Sequence, residues 1–177
     1  MKIIKVAHRY AKALYDFAVE NNAQNKVLDD VLLVRKTIEH KEFKNMMVSQ
    51  IIPAAKKASA IEALFGNHVQ PLTLAFLKLI VMKNRAQAVP QISIEYEQIY
   101  NLKNNILATE IESVVALQKN IRKQFIEALK AQTQASKVNL TEKVNRDLIG
   151  GFVLRYQNQQ YDASIRKQLS ELRKTLT

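Results

Sequence analysis

The chain has 177 residues, enough for one medium domain or two small ones, and its 47% hydrophobic and 24% charged residues are typical of a folded globular protein. It contains no cysteine, which excludes disulfide scaffolds, thiolate metal sites and cysteine nucleophiles. The net charge of +11 favours an anionic partner, such as nucleic acid, a membrane surface or an acidic protein, but the basic residues are spread along the chain and form no basic tail.

The first 105 residues have the pattern of consecutive helices. Only three glycines and three prolines interrupt the whole chain, and long segments without such breakers favour helix. Apolar residues recur at helical spacing over 3–20, 24–38, 41–48, 53–65, 71–82 and 90–104. Ala7, Ala11 and Ala13 widen the apolar stripe of the first helix and predict that this helix has two contact faces. We therefore expect residues 1–105 to form a compact all-α bundle of five or six helices.

Two segments of this half have other possible readings. Four basic residues precede the first acid, Asp16, as in an organellar transit peptide, but the segment lacks serine and continues into a good helix. The most apolar segment, Leu72 to Met82, is 11 residues long and contains Lys78, which makes it too short for a membrane span. We expect both segments to be part of the fold, with the helix at 71–82 in its centre.

The pattern changes near residue 105. Alternating apolar and polar residues predict strands at the start of the second half and at 138–144, and an apolar run predicts a third strand within 148–156. Helical spacing returns at 117–129 and again from Asp162, which can cap the last helix as Ser164 also can. The predicted fold class is therefore mostly α, with a helical bundle over residues 1–105 and a small α+β domain of order βαββα over residues 106–177.

No motif of catalysis, cofactor binding or metal binding is present. His8, His40 and His68 lie far apart in the sequence, without acidic residues at ligand spacing, and are interpreted as surface or helix-end histidines. The pair Gly150-Gly151 is followed by an apolar strand rather than by the Lys-Ser/Thr of a phosphate loop, and no GxGxxG pattern exists. We predict no catalytic residue, no metal and no cofactor.

Two classes of binding protein remain. A basic chain with strands and a glycine pair is compatible with nucleic-acid binding, but the glycines do not lie between two helices, as in a KH domain. Phe152 and Tyr156 could share a strand face, yet the flanking RNP signature of an RRM is missing. The other class is a protein–protein adaptor, because an all-α bundle with small and apolar faces can accept a partner helix in a groove.

Three stretches in the right order resemble the delta subunit of the rotary F-type ATP synthase, the counterpart of the mitochondrial oligomycin-sensitivity-conferring protein. They are HRYAKALYDFAVENN at 8–22, FLKLIVMKNRAQAVPQI at 76–92 and LIGGFVLRYQNQQYDASIRKQLSEL at 148–172. The family signature in the last stretch falls on Gly150, Gly151, Asp162 and Ser164. The resemblance spans nearly the whole chain and implies a six-helix N-terminal bundle followed by a smaller domain.

The resemblance also implies a role. The family's subunit is a non-catalytic stator component, which joins the catalytic head to the peripheral stalk so that torque from proton flow drives ATP synthesis. Its expected partners are the alpha subunits and the stalk b subunits, not nucleic acid, and it reaches the membrane only through the complex. The expected location is the cytoplasmic face of a bacterial plasma membrane.

The resemblance assigns candidate contacts to both halves. A groove between the first and fifth helices is expected to take up N-terminal helices of the alpha subunits, and the second domain is expected to bind the b subunits. The candidates for alpha-subunit binding are Ala7, Tyr10, Ala11, Leu14, Leu72, Phe76, Leu79 and Lys83. The candidates for b-subunit binding are Phe152, Leu154, Tyr156, Ile165 and Leu169. The alternative for each of them is a place in the hydrophobic core.

The glycine pair itself is expected to be structural. Glycine at the edge of a strand typically marks a bulge or a close backbone approach, so we expect the chain to pack closely at Gly150 and Gly151 before its last helix. Departures from the family pattern also lie in this domain, at 145–147, at Ala163 and in the expected hairpin turn at 157–160.

Overall fold

The computed structural model describes residues 2–156 and 159–175, and the chain divides into two compact units, Met1–Tyr100 and Asn101–Thr177. Within the described residues, the chain is mostly helical with one small four-stranded mixed sheet. The first helices in chain order are α1 (Lys2–Glu20), α2 (Gln24–Ile38), α3 (Lys41–Val48), α4 (Ala54–Phe65), α5 (Pro71–Met82) and α6 (Val89–Lys103). These bounds lie within one residue of the predicted ones because the apolar spacing and the prolines at 53, 71 and 90 mark the segments clearly.

The first unit is built around one core to which all of these helices contribute. Helix α1 buries a stripe of alanine, leucine and tyrosine side chains: Ala7, Ala11, Leu14, Tyr15 and Ala18. Helix α2 contacts α1, α3 and α5. Helix α5 buries Leu77, Ile80 and Val81 but leaves Leu79 and Met82 exposed, so it is not buried on all sides as its composition predicted.

Two buried charged side chains hold helix ends of the first unit. The Asp30 carboxylate on α2 accepts hydrogen bonds from the Gln70 backbone N–H (2.8 Å) and the Thr73 hydroxyl (2.6 Å), so it caps the N-terminus of α5 from a neighbouring helix. The buried Lys57 ammonium donates to the carbonyl oxygens of Met47 (2.9 Å) and Ser49 (2.5 Å) at the end of α3. Both contacts satisfy backbone groups that a helix end otherwise leaves without partners.

Several helices end in a left-handed residue that is not glycine. The φ angle is +52° at Asn22, +54° at Asn84, +51° at Asn105 and +55° at Gln134. After α1, the N–H of Ala23 reaches the Ala18 oxygen (2.8 Å) while the N–H of Asn22 reaches the Val19 oxygen (3.0 Å), which is a Schellman turn. The end of α5 repeats this pair of bonds around Asn84. Asparagine tolerates this conformation better than most residues, so it replaces glycine in a chain that has few glycines.

The second unit contains the sheet. Its elements are β1 (Ile106–Ser113), α7 (Lys119–Thr133), β2 (Lys137–Val144), β3 (Phe152–Tyr156), β4 (Gln159–Asp162) and α8 (Ile165–Thr175). The strand order is β2-β1-β3-β4, with β1 parallel to β2 and antiparallel to β3, and with β3 antiparallel to β4. The crossover between β1 and β2 passes through α7, as a parallel pair requires.

The predicted order βαββα is wrong by one strand. Strand β4 has the sequence QQYD, which is short and polar and does not alternate, so no hydrophobic pattern predicts a strand here. It forms because its backbone pairs with β3, from Val153 opposite Asp162 to Tyr156 opposite Gln159. Residues 157 and 158 of the expected hairpin turn lie outside the described residues.

The two faces of the sheet differ in chemistry. One face packs against α7 through a core of buried side chains: Leu107, Ile111, Leu129, Val138, Leu140 and Leu154. On the other face, Glu110 contacts Lys143 (2.8 Å) and Arg155 (3.3 Å), and Arg155 also bonds to Glu112. The hydrogen bond from Arg155 holds the pKa of Glu112 below its usual range, because it stabilises the ionised carboxylate.

Candidate partner-binding site

A groove between α1 and α5 forms an apolar surface of the first unit. Its volume is about 430 Å³, and its lining is almost entirely hydrophobic: Tyr10, Ala13, Leu14, Phe17, Leu72, Ala75, Phe76 and Leu79. The two helices meet through Tyr10 and Phe76, whose rings pack edge to face with centroids 6.4 Å apart. The exposed fractions of Phe17 (54%) and Leu79 (48%) show that large apolar side chains stand open to solvent here.

The structure brings five of the eight candidate groove residues together. Tyr10, Leu14, Leu72, Phe76 and Leu79 line the groove.

The other three candidates lie elsewhere. Ala7 and Ala11 are fully buried in the core and do not line the groove. Lys83 follows α5 as its C-terminal cap and is not part of the lining. The groove face of α1 contains Ala13 rather than Ala7 and Ala11, and its use as a second contact face stays a prediction.

The prediction missed Ala13, Phe17 and Ala75. A signal for two of them was present, because positions 10, 13 and 17 follow each other at steps of three and four along one face of a helix. Small side chains at Ala13 and Ala75 keep the groove open, since a longer side chain at either position would fill it. Both alanines are exposed although they lie among apolar neighbours.

One end of this groove is basic. The Arg85 guanidinium lies 5.4 Å from the Tyr10 ring centroid and donates a hydrogen bond of 2.9 Å to the Tyr10 hydroxyl. Arg9 lies over the same ring at 5.9 Å. Tyr10 therefore joins an apolar surface to two positive charges.

The candidate residues of the second unit fall into two groups. Phe152, Leu154 and Tyr156 face α7 and line a cavity of about 240 Å³, where Phe152 packs on Phe125 with ring centroids 4.9 Å apart. Leu154 is buried in the core of the unit. This first group of candidates therefore packs within the unit, and Phe152 and Tyr156 are only partly exposed to solvent.

The exposed candidates lie on α8. Ile165, Leu169 and Leu172 recur at steps of four and three, and their exposed fractions are 42%, 54% and 59%. Helix α8 is otherwise polar, so these three side chains form one apolar stripe on an amphipathic helix. Leu172 belongs to the stripe although it was not among the candidates.

The four signature residues fix the start of α8. The Ser164 hydroxyl accepts a hydrogen bond from the Lys167 N–H (3.2 Å), which makes Ser164 the N-cap, and Asp162 accepts from the Ser164 N–H (2.9 Å). Hydrogen bonds from the Ser164 hydroxyl and from the Ser164 N–H lower the pKa of Asp162, because both stabilise its ionised carboxylate. At Gly151, φ is +77° and a Cβ atom would overlap the Ala163 oxygen, so the close backbone approach predicted at the glycine pair is confirmed.

The described residues offer no arrangement for metal chemistry. No three histidine, aspartate or glutamate side chains in residues 2–156 and 159–175 lie close enough to hold a metal ion. His8 does have an acidic neighbour, since its Nδ1 lies 2.9 Å from Glu95 Oε2 on α6, a long-range contact that spacing in the sequence could not reveal. Within the same residues, no helix combines the length and hydropathy needed to cross a bilayer.

Comparisons with known proteins extend over the whole chain. The family model described as ATP synthase delta (OSCP) subunit matches residues 6–176. The ATP synthase subunit delta of Carboxydothermus hydrogenoformans is 35% identical over 178 residues, covering 99% of each chain. That of Cytophaga hutchinsonii is 34% identical over 178 residues, covering 100% of this chain and 97% of the relative. A chain of the mitochondrial ATP synthase hexamer of Toxoplasma gondii matches the fold with a TM-score of 0.77, at 20% identity and 96% coverage of both chains.

Proposed function

This chain belongs to the ATP synthase delta (OSCP) subunit family, and from that premise we propose that it ties the catalytic head of an F-type ATP synthase to the peripheral stalk. As a member of this family it is a non-catalytic structural subunit, and it takes part in ATP synthesis and ion transport through the complex. In the proposal, residues 1–105 form a six-helix domain that binds alpha subunits and residues 106–177 form a domain that binds b subunits. The bacterial relatives support a place at the cytoplasmic face of a bacterial membrane.

The apolar groove between α1 and α5 is the observation that supports binding of the first unit to the catalytic head. An amphipathic helix can lay its apolar face into such a groove, with anchors at helical spacing along the stripe Tyr10, Ala13 and Phe17. Burying a large apolar side chain completely contributes about 1.5–3 kcal/mol, so covering the half-exposed Phe17 and Leu79 contributes about half of that each. Anchors from the partner helix add to this, and a joint of nanomolar affinity needs about −12 kcal/mol in all.

The apolar stripe of α8 supports the stalk-binding half. Ile165, Leu169 and Leu172 have the spacing of one seam of a helix pair, and a helix from the stalk could cover them. Ser164 and Asp162 fix where this helix begins, and the glycine pair lets it lie close to β3. The stalk-binding surface is therefore proposed on α8, whereas Phe152, Leu154 and Tyr156 pack towards α7 inside the unit.

The proposed mechanism is mechanical. Rotation of the central shaft exerts torque on the catalytic head, and a stator must keep the head from turning with it. Such a joint needs slow dissociation under load and fixed geometry, not a reactive group. The first unit provides a fixed geometry because Asp30 on α2 holds the start of α5, which is one wall of the groove.

Peptide binding tests the head-binding half. A peptide of about 20 residues from the N-terminus of the alpha subunit encoded with this chain is titrated into the full chain by calorimetry, at physiological salt. We expect saturable micromolar or tighter binding, and we expect Ala13→Glu and Ala75→Glu to abolish it by filling the groove with charged side chains. Ala63→Glu, at an exposed position of α4, introduces the same change elsewhere and should bind like the unchanged protein.

Two outcomes would count against this function. Binding that persists in both groove variants, with helical content unchanged by circular dichroism, would place the alpha-subunit contact elsewhere. Salt-sensitive binding to a pool of nucleic acids, without any peptide binding, would instead support a basic nucleic-acid-binding protein.

A further inference from the structure

The groove continues along α1 beyond Tyr10. A second depression of about 150 Å³ is lined by Ile3, Val6, Arg85, Gln87 and Ala88. Positions 3, 6, 10, 13 and 17 form one stripe of α1, which at 1.5 Å per residue is about 21 Å long. A partner helix of about four turns that follows this stripe must therefore pass Arg85, which stands where the two depressions meet at Tyr10.

The Arg85 side chain is held in place before any partner arrives. It is half-buried, it stacks on the Tyr10 ring and it donates to the Tyr10 hydroxyl. Its backbone is fixed as well, because the Arg85 N–H closes the Schellman turn at the end of α5 on the Ile80 oxygen (3.0 Å). A guanidinium fixed in this way loses little entropy when it pairs with a carboxylate.

Within the described residues, neither Arg85 nor Arg9 has a carboxylate within ion-pair distance. Seven other arginine and lysine side chains of the described residues form such pairs, whereas the Arg85 guanidinium contacts Tyr10 instead. At the other end of the stripe, Glu20 follows Phe17 by three residues and carries the opposite charge. The surface is thus positive in its middle and negative at one end.

We infer that the helix accepted by this groove carries an aspartate or glutamate beside its apolar face, and that pairing of this carboxylate with Arg85 sets the register of the helix. This inference rests on the proposed function and names a chemical property of its partner. An apolar groove alone allows a helix to slide by one turn, since each anchor finds a similar site three or four residues further on. An ion pair between one carboxylate of the partner helix and Arg85 forms in only one register, so it prevents this sliding. If the helix bound in the opposite direction, Glu20 would repel a carboxylate placed near it.

A double-mutant cycle tests the pairing. The probe is the same alpha-subunit peptide, in which each aspartate or glutamate is changed in turn to asparagine or glutamine, and the full chain carries Arg85→Gln, Arg85→Lys or no change. We expect Arg85→Gln to weaken binding about tenfold at low salt, with a smaller loss at high salt. One peptide variant alone should be insensitive to Arg85→Gln, which identifies the paired carboxylate. Arg146→Gln, an exposed arginine of the second unit, is the control for the change in net charge.

Variants that restore the charge at position 85 distinguish two roles of Arg85, the ion pair with the peptide and the contact with the Tyr10 ring. Arg85→Lys keeps the charge and should retain most of the affinity, and Arg85→Glu should recover binding to a peptide whose paired acid is replaced by lysine. Equal losses in Arg85→Gln and Arg85→Lys, without coupling to any peptide position, would overturn the inference. Unchanged affinity in Arg85→Gln, while Ala13→Glu abolishes binding, would overturn it too but leave the proposed function standing. A peptide that fails to bind the unchanged protein would overturn both.

Discussion

The two units use their apolar residues differently. In the first unit, buried side chains from every helix form one core, and the exposed side chains of Phe17 and Leu79 line the groove between α1 and α5. In the second unit the core cluster beneath α7 contains six buried side chains among the described residues, while a stripe of α8 remains exposed. A small unit with a small core has little stability to spare, so it depends more on backbone contacts and on special conformations. We therefore expect the same kind of substitution to cause different losses of stability in the two units.

Gly151→Ala should have the largest effect, and it should fall on the second unit. An alanine there meets a left-handed φ and the Ala163 backbone, which together cost roughly 3 kcal/mol. Hydrogen exchange measured by mass spectrometry should show loss of protection in β3 and α8 and unchanged protection in α1 to α5. Gly150→Ala is the matched control, because its Cβ meets only the flexible end of Ile165. Equal costs for the two glycines would contradict this account.

Asp30→Ala should destabilise the first unit by about 2 kcal/mol, since it leaves the Gln70 N–H and the Thr73 hydroxyl without their buried partner. Urea unfolding of the full chain measures the loss, and hydrogen exchange should locate it at the start of α5. Asp29→Ala changes the exposed neighbouring residue and should cost little. If both variants lose the same stability, the cap is not what holds α5.

Ile149→Asn should stabilise the second unit by about 1 kcal/mol. Ile149 has a φ of +65°, a conformation that a β-branched residue adopts only under strain, and its side chain is 65% exposed. The ψ angle of −40° places Ile149 outside the left-handed helical region, and asparagine, which has no branch at Cβ, accepts a positive φ at lower cost than isoleucine. Thermal unfolding should show a higher midpoint for Ile149→Asn than for Val115→Asn, which changes an exposed residue without a positive φ. A lower midpoint would mean that the Ile149 side chain contributes contacts worth more than the strain.

The smallest effect should be a greater acid sensitivity of the second unit. Glu112 and Asp162 both have pKa values lowered in the folded state, so the ionised form of each stabilises the fold. Their contribution is present above the ordinary values of 4.5 and 3.8 and is lost as the pH falls below them towards the folded values. Hydrogen exchange between pH 6 and pH 3 should therefore report weakening of the sheet before weakening of α1 to α5. Glu112→Gln should reduce this pH dependence, whereas Glu127→Gln on α7 should leave it in place.

The sequence predicts the helices of this chain well because their signals are local. The stripe of α1 and the proline at the start of α5 define both helices without reference to the rest of the chain. Strand β4 could not be predicted in this way, since QQYD becomes a strand only through the backbone of β3. The same distinction explains the groove. Ala11 and Ala13 are identical in the sequence, yet one is buried and the other exposed, and only the packing of α2 and α5 around α1 decides which.

Asp30 and Arg85 show the same limit at the level of side chains. Asp30 lies beside Asp29 in the sequence, and its role depends on an N–H that is 40 residues away. Arg85 contacts Tyr10 across 75 residues. The arrangement of the helices determines which residues Asp30 and Arg85 contact. These contacts therefore cannot be predicted from the spacing of residue types along the chain.

The asparagines that end α1 and α5 have a consequence for stiffness. Glycine at these turns would give the unfolded chain many more conformations, and the folded turns more freedom to swing about their hinges. Asn22 and Asn84 accept the same left-handed geometry with a side chain that narrows both ranges. The connections that lead away from α1 and α5 should therefore bend less than glycine turns would, and a displacement of either helix should be passed on to the helix that follows it.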